Sequence, residues 1–318
     1  MSARGHQVML AMILGLGAAV FAGGWGVRAG ASHPMLSSRG QTVTHARHAF
    51  TSPAGIAVDR RGDVYVSDTN RIKQLTASGQ LRGGWGRTGA QPGAFQGAMG
   101  IALDAHGTLY VADSGNNRIQ KLSLRGTPLA AWGRSGTGRG EFSMPWAVAV
   151  APTGSIYVAD WGNARIQELS SAGVPVASWG TRGRHPGQFE RPEGVAVDAQ
   201  GNVYVADSGN NRIQKLSPTG HSVAVWQPTG SILRQYYDPT GITLDGRGNL
   251  YVVEASTSVI QKLSPGGKLL AVWSFGTPGF LAPYGVALDP QGNVYVADLA
   301  DHRVVKLSSS GKRLAVWR

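Results

Sequence analysis

Carboxylates recur at one spacing along the chain. Asp68, Asp113, Asp160, Asp207 and Asp298 are each followed, a short gap later, by Arg71, Arg118, Arg165, Arg212 and Arg303. A ring of such oxygens around one opening would suit a hard divalent cation. The same residues equally suit an Asp–Arg pair inside each copy of a repeat, closed by charge-assisted hydrogen bonds. A residue needed in nearly every copy is usually needed by the repeat itself, so structural pairing is the expectation. If the chain held a divalent cation such as calcium or zinc, Asp160, Asp207 and Glu254, with Glu193, are the only carboxylates to nominate. Other chemistry is sparse. There is no His-Glu-x-x-His, nucleophile elbow or phosphate loop. The eight His share no register that would gather three imidazoles around zinc, and His185 and His302 sit on unrelated loops. Zero Cys excludes a thiolate metal site, a cysteine nucleophile and a disulfide scaffold.

A repeat positions these side chains. A short apolar strand recurs at Gly55–Asp59, Gly100–Asp104, Ala147–Ala151, Gly194–Asp198, Gly241–Asp245 and Gly285–Asp289, at intervals of 44 to 47 residues. A second strand follows, centred on Tyr65, Tyr110, Tyr157, Tyr204, Tyr251 or Tyr295. The third resembles Arg118–Leu122, and the fourth ends in Trp85, Trp132, Trp179, Trp226, Trp273 or Trp317. Gly, Asn, Asp and Pro punctuate them, which makes each unit a four-stranded antiparallel meander. One such sheet cannot bury both faces alone, whereas six arranged radially can. The sequence therefore predicts an all-β, six-bladed β-propeller. Ala57, Ala102, Ala149, Ala196 and Ala287 suit crowding at the axis, and the Trp residues suit the rim. Because the sixth unit holds its own fourth strand, no strand exchange is needed. Closure is expected from packing of blade six on blade one, with Gln41–Thr44 as a candidate aid.

Units such as Pro192-Glu-Gly-Val-Ala-Val-Asp198, Gly201-Asn-Val-Tyr-Val-Ala-Asp207 and Asn211-Arg-Ile-Gln-Lys-Leu216 resemble the NHL repeat. The resemblance covers Phe50 to Arg318 and implies the six-bladed fold. Relatives include noncatalytic domains that bind RNA or protein, extracellular sensor domains of bacterial kinases, and lyases and lactonases. Fold analogy does not choose among them. Resemblance to the repeat also places the recurring Asp and Arg in a structural role.

Connectivity assigns a working face, formed by the loops between strands two and three and by the long crossings Gly86–Met99, Gly133–Trp146 and Gly180–Glu193. Asymmetry there is a better guide to a ligand than repetition. The residue before the first-strand Gly varies as Ala54, Met99, Trp146, Glu193, Thr240 and Tyr284. Met99, Trp146, Tyr284 and Trp161, with Glu193 as a lone charge, either form an apolar stacking platform at the channel mouth or simply cover the hole. Arg134, Arg182 and Arg184, with Arg87, Arg139 and Arg191, lie in the crossings and suit a polyanion. A solvated basic rim is the plainer alternative. Blade five departs most, with Glu254 for Asp and Ser258-Val259 for Asn-Arg, and blade three has Ala151 for Asp.

The 318 residues carry 46 Gly, 42% hydrophobic and 15% charged residues, which excludes a disordered chain. The net charge of +12 favours anionic partners. Arg4 precedes an uncharged run from Val8 to Val27, and Ala29-Gly-Ala31 supplies a small-x-small site. Residues 1–31 therefore read as a signal peptide cut after Ala31 or as a retained membrane anchor, 32–49 as a polar linker and 50–318 as the propeller. The bulk of the chain is expected outside the cytoplasm: secreted, periplasmic or tethered to the outer face of the membrane. It is expected to be a monomeric, noncatalytic binding or scaffold module without a cofactor. The expected partner is a protein, a peptide or an acidic polymer of the envelope, since nucleic acid is a poor partner for an exported chain. A metal-dependent lyase or lactonase is the alternative.

Overall fold

In the computed structural model, residues 49–227, 238–274 and 279–318 are described. Residues 1–48, where a signal or anchor segment and a linker are expected, including Gln41–Thr44, and the Gln227–Pro228 crossing beyond Gln227 lie outside them. Among the described residues no helix is long and apolar enough to cross a membrane.

Six four-stranded antiparallel sheets follow one another along the chain, at Pro53–Trp85, Ala98–Trp132, Pro145–Trp179, Pro192–Trp226, Pro239–Ser274 and Pro283–Trp317, and in each the strands pair in sequence order. The fold is an all-β six-bladed propeller, as the repeats predict. The second strand of each blade is buried along its length, for example Ile156–Asp160, with Thr108 at the start of the blade-two strand half-buried, because neighbouring blades cover both of its sides. That explains a continuous apolar run in place of alternation. Fourth strands form the rim and leave Leu129, Val176, Val223, Leu270 and Leu314 exposed.

The core consists of inter-blade clusters. Between blades one and two, Ala57, Tyr65 and Ile72 meet Ile101, Leu109, Val111 and Leu122, with Phe95 of the crossing between them. The alanines therefore fill inter-blade space, and the crowding at the axis expected of them falls instead on the glycines two residues earlier. A Cβ on Gly194 would lie 2.1 Å from the Thr240 carbonyl oxygen, and one on Gly55 2.3 Å from that of Met99. A residue without a side chain lets adjacent first strands approach this closely at these junctions, while blade three carries Ala147 at the equivalent position.

At the rim, the Trp ending each blade lies against a glycine turn of the next blade. A Cβ on Gly173 would come within 2.2 Å of the Trp132 ring, and Gly126, Gly220, Gly267 and Gly311 bear the same relation to Trp85, Trp179, Trp226 and Trp273. Trp317 lies on Gly79 in the same way, which joins blade six to blade one. Phe50 completes that seam, buried with Val64, Val66 and Leu75 of blade one and Tyr295, Val304 and Trp317 of blade six. Blade six supplies its own fourth strand, and side-chain packing closes the ring as expected.

Candidate binding face

The Asp–Arg pairs form within blades. In blade four, Asp207 Oδ2 accepts from Arg212 Nε at 2.6 Å, Asn210 Nδ2 at 2.9 Å and Gln214 Nε2 at 3.0 Å, while Oδ1 accepts from the Glu190 N–H at 2.7 Å. Arg212 then donates to the carbonyls of Arg184, His185 and Gln188 in the incoming crossing. Each unit is thus a staple that fastens a long crossing to the third strand. Burial pushes the Asp207 carboxyl above the usual carboxylate range, against the pull of the Glu190 N–H, Asn210 and Arg212. Asp160 makes the same set with Arg165, Asn163, Gln167 and the Ser143 N–H, and Asp113 and Asp298 pair with Arg118 and Arg303.

Two blades depart. In blade one, Arg71 is exposed and Lys73 takes Asp68 at 2.5 Å, while also donating to the Ala49 carbonyl. The cause is a swapped order in the third strand, Lys73-Gln74 where blades two, four and five have Gln then Lys. The cation then occupies the position from which Gln120 or Gln214 reaches the crossing elsewhere. In blade five, Glu254 is fully buried, and Val259 stands opposite it where an Arg is usual. Asp160, Asp207 and Glu254 therefore sit in three different blades. Among the described residues no three His, Cys, Asp or Glu side chains converge on a point.

The variable residues at the channel mouth do come together. Ala54, Met99, Trp146 and Tyr284 form one buried cluster with Leu299, and Trp161 packs against it half-buried. Trp146 stacks on Trp161 with ring centroids 5.5 Å apart, and Tyr284 tilts against Trp146 at 6.4 Å. Glu193 is 3% exposed and accepts from Tyr284 Oη at 3.1 Å and from Trp161 Nε1 at 3.4 Å. Burial, and then the Glu193 charge, push the Tyr284 hydroxyl well above its ordinary pKa, so it stays protonated and donating. These side chains fill the mouth as a plug, and Trp161 is the part that reaches the surface. The adjoining axial cavity is about 70 Å³, small beside the roughly 300 Å³ at which small-molecule sites begin. Leu299 escapes a reading of the first-strand register alone. It occupies the position after the second-strand Asp, like Trp161, and that second variable register is the signal that finds it.

Arginines gather on one sector. Arg134 and Arg139 lie in the crossing into blade three, and Arg182, Arg184 and Arg191 in the crossing into blade four, on either side of the Trp161 loop. Arg182 donates to the Gly162 carbonyl beside Trp161 and pairs with Glu190. Arg134 pairs with Glu141 at 2.8 Å while 81% of its side chain stays exposed, and Arg184 is exposed. Such exposed pairs leave the guanidinium available to a second anion, because they contribute little on their own.

A family model described as the NHL repeat matches residues 50–71, 95–122, 142–169, 189–216 and 280–307. The unmatched unit is blade five, the one with Glu254 and Val259. Among solved structures the chain is similar to a streptogramin B lyase, with 18% identity over 85% of this chain and 83% of that one and a TM-score of 0.61. It is also similar to a gluconolactonase from Xanthomonas campestris (18% identity, 79% and 84% covered, TM-score 0.60) and to a chain of a nidogen–laminin complex (21% identity, 74% and 85% covered, TM-score 0.58). At these identities the likeness shows the fold alone. No curated protein matches the chain.

Proposed function

The protein is a six-bladed β-propeller of NHL repeats, and we propose that it serves outside the cytoplasm as a noncatalytic binding or scaffold module. Its loop face takes a protein or polyanionic ligand of the cell envelope. One observation carries the reading. The recurring carboxylates that an ion would need are spent on Arg, Asn, Gln and backbone donors, while the exposed part of the same face offers guanidinium groups around Trp161. Planar guanidiniums beside an aromatic ring suit carboxylate or sulfate groups. Exported by residues 1–31, whether cleaved or retained, the chain would meet such groups on envelope proteins and polymers.

The test is retention on an immobilised heparin-like polymer as salt rises. Wild type is expected to elute later than the Arg182→Ala/Arg184→Ala variant, with a shallower salt dependence in the variant because fewer counterions are released. Equal elution would overturn the reading. Turnover of a lactone that is lost on chelation, restored by added divalent ion and abolished by Glu254→Ala would establish the metal-dependent alternative.

A further inference from the structure

The basic sector borders an apolar groove. Between blades two and three lies a groove of about 430 Å³, walled by Ala131, Trp132 and Pro175 above the buried Phe142 and Leu169, with Arg139 and the Arg134–Glu141 pair on its rim. Its size falls within the range of roughly 300–1,000 Å³ that takes an organic side chain or small ligand. Arg139 is what sets this crossing apart. The equivalent positions in the neighbouring crossings are Pro92 and Pro186, each followed by Gly as Arg139 is by Gly140. Arg139 is exposed and donates to the Val176 carbonyl at the edge of blade three, and among the described residues no carboxylate pairs with it.

We propose that this groove seats the apolar side chain of an acidic peptide segment of a partner protein, whose flanking carboxylates meet Arg139 and Arg134. The inference rests on the loop-face reading above and selects within it. A sulfated or uronic polymer could satisfy the guanidiniums but has no alkyl or aromatic branch to remove the groove from water. A peptide supplies both within a few residues, and a buried anchor inside a charged rim is how interface affinity is usually concentrated. Trp132 gives the anchor an aromatic wall held in place by Gly173 of the next blade, so the groove is formed before binding and little ordering entropy is lost.

Isothermal titration with two short synthetic peptides tests this. One has a Leu flanked by Asp and Glu, and the other is identical but for Ala at that position, so their charges are equal. The Leu peptide is expected to bind roughly ten-fold tighter, as expected for the extra apolar surface buried. Arg139→Pro, the residue that sister crossings already carry, should weaken the Leu peptide several-fold. Ala131→Phe, at an exposed strand position, should fill the groove and erase the Leu-to-Ala difference while retention on the heparin-like polymer persists. Equal affinities of the two peptides for wild type would overturn the groove inference and leave the loop-face reading standing. Failure of both peptides and of the heparin-like polymer to bind would overturn both.

Discussion

Replacing Phe50 by Ala tests how the ring is closed. Phe50 is 2% exposed and fills, at the seam of blades six and one, the place that Phe95, Phe142 and Phe189 fill at other junctions. Its removal strips a whole aromatic side chain from contact with Val64, Val66, Leu75, Tyr295 and Trp317. Cavity-forming Phe-to-Ala changes cost about 3–5 kcal/mol. In a propeller of this size, with a melting shift of roughly 2–4 °C per kcal/mol, that lowers the midpoint by about 10 °C. Phe142→Ala, at an internal junction, should cost the same if Phe50 is an equal member of the series. Denaturant unfolding followed by Trp fluorescence gives both costs. Amide hydrogen exchange then locates the damage: Phe50→Ala should accelerate exchange in Ile56–Val58 and Val286–Leu288, and Phe142→Ala in the strands flanking its own junction. A Phe50→Ala protein within about 1 kcal/mol of wild type, with unchanged exchange at the seam, would refute this account of closure.

Three further outcomes are expected. Burial alone would raise the Asp104 carboxyl, but the N–H groups of Thr108 and His106 and the hydroxyls of Thr108 and Tyr110 outweigh it and hold it below the usual carboxylate range. A depressed folded value gives stability that is complete above the unfolded value of about 3.9 and is lost as pH falls through the folded one. Asp104→Asn should therefore cost about 1 kcal/mol at pH 7, with the deficit shrinking below about pH 4, and a deficit independent of pH would contradict this. In blade three, Glu168 replaces the missing Asp as acceptor for the Tyr157 hydroxyl. Ala151→Asp alone should then destabilise by crowding two carboxylates, and adding Glu168→Lys should recover the loss, a coupling that a double-mutant cycle reads directly. Gly173→Ala must take φ +80 with its Cβ against Trp132. Its cost should be about 2–4 kcal/mol by urea midpoint, and a neutral result would show that the indole shifts freely.

The architecture was legible because each level of the sequence repeats the same instruction. The strand-two Asp and strand-three Arg could be assigned to a staple before any coordinates, since a role repeated in nearly every blade belongs to the blade. The substitutions within that pattern were harder to read. The exchange of Gln and Lys at positions 73 and 74 looks like drift, yet it moves the cation that holds Asp68 and leaves Arg71 in solvent. Glu168 looks like an ordinary polar position until Ala151 is seen to leave Tyr157 without its usual partner. The alanine-rich first strand suggested the axis, but whether Ala or Gly faces the axis depends on strand register and tilt, which composition does not carry. Trp146, Glu193 and Tyr284 were recognisable as a set. That they fill the mouth follows from side-chain volume meeting a narrow opening, and that Trp161 alone reaches the surface follows from its place on a neighbouring loop.

The placement of Trp85, Trp132, Trp179, Trp226, Trp273 and Trp317, each against a glycine of the following blade, has an optical consequence. One indole marks each junction of the ring, so the protein carries a set of built-in fluorophores, each sensitive to the parting of a single pair of blades. Replacing Trp25, Trp146, Trp161 and all but one of these six by Phe would leave a chain whose emission reports where the ring first opens under load or denaturant, without any attached dye.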